Sequence, residues 1–205
     1  MISYFKKAIL TVAAVLVIGG STAWAGYYEF IPSDKDIFDL DHFKYYKWGI
    51  NWSLPTGQVI TSAKLTIDNI NNWAVEDTDK LFIHLLNYAP LGLTTYTDNQ
   101  GGGDNFASLP ASSQLYLDTY TDLNDSPGPS EDYSYSLSNT QLTKLAQWSQ
   151  DGRFGLGFDP DCHYFNDGVK FQIYTSSNAV PEPASMMLLG SGLLGAAGLR
   201  RKRKV

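Results

Sequence analysis

The densest set of metal-binding side chains in the chain is Asp159-Pro160-Asp161-Cys162-His163-Tyr164-Phe165-Asn166-Asp167-Gly168. Asp159, Asp161, Asn166 and Asp167 offer several hard oxygens from one loop. Calcium takes six to eight such ligands in a flexible arrangement, so calcium is the ion this loop would hold. The spacing is not that of an EF-hand, because no Glu closes the loop at its twelfth position. Further ligands would have to come from Asp39, Asp41, Glu76, Asp77 or Asp79. The competing explanation is a hairpin loop whose Asp and Asn side chains cap its own turns.

Other chemistry is thinly represented. His42, His84, His163 and Cys162 are zinc-ligand types, but no two have helical or knuckle spacing. No G-x-S-x-G elbow occurs in the body, and no Gly-rich phosphate loop follows a strand. Among so many acids some pair will stand at a glycosidase distance by chance. The sequence therefore points away from an enzyme, with a glycan-active hydrolase the third expectation in rank. Trp48, Trp52, Trp73, Trp148 and many tyrosines could stack on sugar rings, although aromatics in β-proteins more often fill cores.

The elements that must position these groups are strands. Tyr45–Leu54 ends at the turn signal Pro55-Thr56-Gly57. Along Val59–Ile70, Val59, Thr61, Ala63, Leu65 and Ile67 share one face and polar residues dominate the other, and Asn69, Asn71 and Asn72 break the pattern. Leu81–Leu86 is apolar on both faces apart from His84, as in a central strand. Gln114–Thr121, Tyr133–Leu137, Phe154–Phe158 and Val169–Tyr174 complete the set. One helix is expected over Thr140–Trp148, opened by a capping box of Ser138 and Gln141. The stretch 89–114, with Gly101-Gly102-Gly103, reads as a long mobile or binding loop. The fold class is all-β: an antiparallel, jelly-roll-like β-sandwich with one short helix. Cys162, the only cysteine, cannot make an internal disulfide and is expected to be buried.

Both ends read as addresses. Lys6 and Lys7 precede an apolar run from Ala8 to Ile18, and Ala23-Trp24-Ala25 offers a cleavage site before Gly26. At the other end Pro181-Glu182-Pro183 precedes an apolar run over 184–199 and the basic residues 200–204. At helical rise that run spans about 24 Å, a little short of the ~30 Å hydrocarbon core, a gap that snorkelling basic residues close. The expected division is a signal peptide at 1–25, a sandwich domain at 26–178 and a sorting tail at 179–205 with a transmembrane helix at 184–199. Residues 26–180 hold 8 Lys or Arg against 20 Asp or Glu, a net charge of −12 where the whole chain carries −6. Such a surface disfavours nucleic acid as a partner.

The tail closely resembles the PEP-CTERM sorting signal, which is also catalogued as an ice-binding protein C-terminal domain. The resemblance rests on Pro181, Glu182 and Pro183, the apolar run and the basic plug. It implies an exosortase-type processing enzyme as partner, a transient inner-membrane anchor through the C-terminal helix, and a destination at the cell surface or in extracellular matrix. Asp39-Leu40-Asp41-His42-Phe43, Ala63-Lys64-Leu65-Thr66-Ile67, Ile70-Asn71-Asn72-Trp73 and Phe158-Asp159-Pro160-Asp161-Cys162-His163-Tyr164 are similar to uncharacterised PEP-CTERM proteins, which implies a sandwich and no assigned activity. The expected function is a non-enzymatic surface or matrix protein. The alternative is a calcium-dependent module that binds carbohydrate such as exopolysaccharide.

Overall fold

The computed structural model describes residues 25–73, 79–99, 102–122 and 129–178. Two antiparallel sheets face each other. One has the order β1 (Gly26–Phe30), β10 (Gly168–Ser177), β3 (Gln58–Asn72), β7 (Glu131–Ser136), with the two-residue β9 (Tyr164–Phe165) on the far end of β3. The other has the order β5 (Gly92–Thr97), β2 (Lys44–Asn51), β8 (Arg153–Pro160), β4 (Lys80–Leu86), β6 (Gln114–Thr121). The chain passes between the sheets so that β1, β10, β3, β7 lie opposite β2, β8, β4, β6. That interleaving is the double Greek key of a jelly roll, with β5 added outside β2. The first strand begins at Gly26, immediately after the expected cleavage site.

Side chains from both sheets fill the space between them. Ala63, Leu65, Ile67, Phe171 and Ile173 from one meet Trp48, Ile50, Leu81, Ile83, Phe154 and Leu156 from the other. Phe154 stands edge-on to Phe30 and Phe171 across the gap, at 6.4 and 5.9 Å between ring centroids. The helix α1 (Asn139–Trp148) buries Leu142, Leu145 and Trp148 into the same core. Its capping box forms as expected: the Gln141 amide N–H donates to Ser138 Oγ at 3.4 Å, and the Ser138 N–H to Gln141 Oε1 at 2.7 Å. Cys162 is buried.

The structure corrects the sequence reading in two places. The stretch expected to be one long loop contains β5 and then a segment seated on the outer face of the second sheet. Phe154, Leu156 and Phe158 of β8 point inward, so Gly155 and Gly157 leave a shallow channel outside. Phe106 is fully buried over that channel, with Ala89 and Leu86 beside it. The second correction is β3, which does not stop at its asparagines but continues to Asn72. Irregularities near Thr61 and near Asn69 shift its alternation, so Val59 and Thr61 are exposed rather than core-facing. No helix among the described residues is long and apolar enough to cross a membrane. The run at 184–199 lies outside the described residues.

A methyl group added at Gly157 would stand 2.6 Å from the Phe106 ring. We expect Gly157→Ala to lose about 1–3 kcal/mol by overpacking, read as a lower denaturant midpoint. An unchanged midpoint would mean that Phe106 is not seated on the sheet.

Candidate functional site

Along β3 the residues Ala63, Leu65 and Ile67 face the core, and beyond the irregularity so do Ile70 and Asn72. Asn69 takes up the extra residue with φ 51°, a left-handed conformation that Asn tolerates better than most side chains. Past this point Asn71 and Trp73 face outward. β9 pairs there, with Asn71 opposite Phe165 and Asn72 opposite Tyr164, and the Trp73 N–H donates to the His163 carbonyl at 2.8 Å.

A second wall comes from a tight turn. Ile37, Phe38, Asp39 and Leu40 all have φ between 43° and 55°. A left-handed run of non-glycine residues costs roughly 1–2 kcal/mol per residue, and such strain collects at functional sites. Here Ile37 and Leu40 are driven into the core and hold the turn, which leaves Asp39 outward. The Asn166 Nδ2 donates to the Asp36 carbonyl at 2.8 Å, and the Val169 N–H to that of Lys35 at 2.7 Å. Between the turn and the ribbon lies a cleft of about 390 Å³, walled by Asp39, Asn69, Asn71, Ser130, Phe165, Asn166 and Asp167. The Asn69 Nδ2 donates to Asp167 Oδ2 at 2.6 Å. Asn166 is 8 % exposed and its Oδ1 has no hydrogen-bond partner.

The four residues expected to hold calcium thus divide. Asn166 and Asp167 meet in the cleft with Asp39, one of the outside ligands anticipated for them. Asp161 accepts from the Lys80 N–H at the start of β4. Asp159 is fully buried on β8, where its carboxylate accepts from the Asn105 N–H at 2.5 Å and from Asn105 Nδ2 at 3.3 Å. Among the described residues no three His, Cys, Asp or Glu side chains converge as a metal site. Any ion in the cleft would therefore depend on amide and backbone oxygens beside Asp39 and Asp167.

The histidines are likewise dispersed. His84 is buried, with Nδ1 2.8 Å from Gln114 Oε1 and Nε2 3.0 Å from Asp104 Oδ2. Both ring nitrogens are engaged, and neither meets a hydroxyl or thiol nucleophile. His42 packs on Phe43, and His163 lies between Trp73 and Phe165. Sequence reasoning missed Asn69, Asn71 and Phe165 as wall residues. The asparagines look like a strand breaker, and a two-residue strand has no periodicity to detect.

The sorting end is decided by comparison. Residues 179–203 match the family model of the PEP-CTERM protein-sorting motif. The PEP-CTERM match contains Pro181, Glu182 and Pro183 and implies exosortase processing and export to the cell surface. Those residues lie outside the described ones, as do Ala23 and the segment before it; Ala25 is exposed and Gly26 opens β1. No curated protein matches the chain.

Burial raises the Asp159 carboxyl to about 6, the Asn105 donors opposing this and Asp98 and Asp104 adding to it. An acid whose native pKa exceeds its unfolded value near 3.9 holds its proton longer when folded. Its contribution is whole below about pH 4 and is lost as pH rises through about 6. The stability of wild type minus that of Asp159→Asn should therefore fall between pH 4 and 7, by on the order of 2–3 kcal/mol. A difference that stays flat over that range, measured by chemical denaturation, would refute the assignment.

Proposed function

We propose that the chain is a non-enzymatic protein of the cell surface or extracellular matrix, delivered by its PEP-CTERM tail. The observation that carries this reading is the match over residues 179–203. Export begins with the N-terminal apolar segment, and the 184–199 run halts in the membrane with the basic residues 200–204 on the cytoplasmic side. The processing enzyme then acts near Pro181–Pro183. Further support for a passive body comes from His84, whose ring nitrogens are both occupied by Gln114 and Asp104. Replacing Pro181, Glu182 and Pro183 together with Ala should leave full-length protein in the membrane fraction. Normal processing of the triple variant would remove the motif from the account.

The second reading is a calcium-dependent carbohydrate-binding module. It is favoured by the meeting of Asp39, Asn166 and Asp167 in one cleft, since carboxylates and amides serve both calcium and sugar hydroxyls. A cation that binds only the native state raises the melting temperature with concentration. Millimolar calcium should therefore raise the melting temperature of the wild type and not of Asp39→Asn with Asp167→Asn. No shift in the wild type would refute the metal and leave the sugar-binding part to be judged separately.

A further inference from the structure

The two-stranded ribbon formed by β9 and the end of β3 has one outward face, and its composition is specific. Residues two apart on a strand share a face, and so do directly paired residues on neighbouring strands. Asn71 on β3 and Trp73 just beyond its end therefore lie on the same side as Phe165 and His163. The rings form a row: Trp73 to His163 is 6.0 Å between centroids, and His163 to Phe165 is 4.9 Å. Trp73 is 62 % exposed and Phe165 39 %. Large rings exposed side by side are costly to leave in water and commonly mark a binding surface. At its Phe165 end the row opens directly into the cleft, where Asn71, Asn166 and Asp167 stand.

We infer that this row and the cleft, holding no ion, form one binding surface for an uncharged polysaccharide; this rests on the carbohydrate-binding part of the reading above and not on its calcium. The C–H groups on the flat side of a sugar ring are weakly positive and meet the negative faces of the aromatic rings. The hydroxyls at the sugar's edge need donors and acceptors, which the Asn71 amide and the Asp39 and Asp167 carboxylates provide. Asn166, which also lines the cleft, has a buried Oδ1 with no hydrogen-bond partner. Apolar faces with a few placed polar groups are the usual composition of a small-molecule site. The charge decides the class of sugar. Among the described residues the cleft walls hold two carboxylates and no Lys or Arg, so a uronate or sulfated polymer is repelled where a neutral one is not.

Affinity electrophoresis tests this with the full-length chain in detergent, on gels cast with dextran, laminarin, xylan or galactomannan, and with alginate as the anionic polymer. At least one neutral gel should retard the wild type. Trp73→Ala should weaken that retardation at least tenfold and Asn71→Ala at least threefold, with the melting temperature of each within about 2 °C of wild type, as suits exposed positions. Tyr88→Ala, which removes an exposed ring elsewhere, should change nothing. Retardation that Trp73→Ala leaves intact would overturn this surface while leaving a sugar-binding body in place. Absence of retardation in every neutral gel, or stronger retardation in alginate, would overturn the proposal itself.

Discussion

The side-chain parity of β3 is the constraint on which the rest depends. A strand alternates faces strictly, so one extra residue sends every later side chain to the other side. β3 uses that rule twice. Near Thr61 it brings Ile60 against the core and leaves Val59 and Thr61 in solvent. Near Asn69 it turns Ile70 and Asn72 inward and Asn71 and Trp73 outward. Without the second shift, Trp73 would point into the sandwich and Ile70 into water. A single left-handed asparagine thus provides both the last core contact of the strand and the first ring of the exposed row.

Elsewhere the protein handles its surplus of carboxylates locally. With no disulfide within the chain to limit the unfolded state, the described body rests on its apolar core. Several acids are nevertheless drawn inside: Asp79, Asp98, Asp122 and Asp159 are all buried. Amides and backbone N–H groups of the described residues donate to them. Asn105 spans Asp98 and Asp159, and Asn72 spans Asp79 and Asp122. An amide partner satisfies a carboxylate's lone pairs without bringing a second charge out of water. This explains how an acidic chain with few cations keeps a closed core.

The regular parts of the fold were legible in the sequence, and the irregular parts carry the site. Alternation identified the middle of β3 and the strands β6, β7 and β10, a run apolar on both faces identified β4, and the Ser138–Gln141 box placed the helix within one residue. β5 was lost because Gly92-Leu93-Thr94-Thr95-Tyr96-Thr97 lies amid turn-forming residues, and its pairing with β2 is a tertiary choice. The cleft was half legible. Acid and amide content drew attention to Asn166 and Asp167 and to Asp39 as a distant partner. Their separation from Asp159 and Asp161 depends on Phe165 pairing with Asn71, and the approach of Asp39 depends on a left-handed turn. Neither has a composition signature, because each is enforced by what the neighbouring residues bury.

The register of β10 also fixes which way the body faces. Gly26 pairs with Thr175, so the first strand starts beside the end of the last one. The two ends of the described body, Ala25 and Asn178, therefore lie at one pole. Gly168 pairs with Asp68 at the other end of β10, next to Asn69, Asp167 and the cleft. Ten residues of strand separate the two ends, about 30 Å at the usual rise. The cleft therefore stands at the pole opposite both ends of the described body.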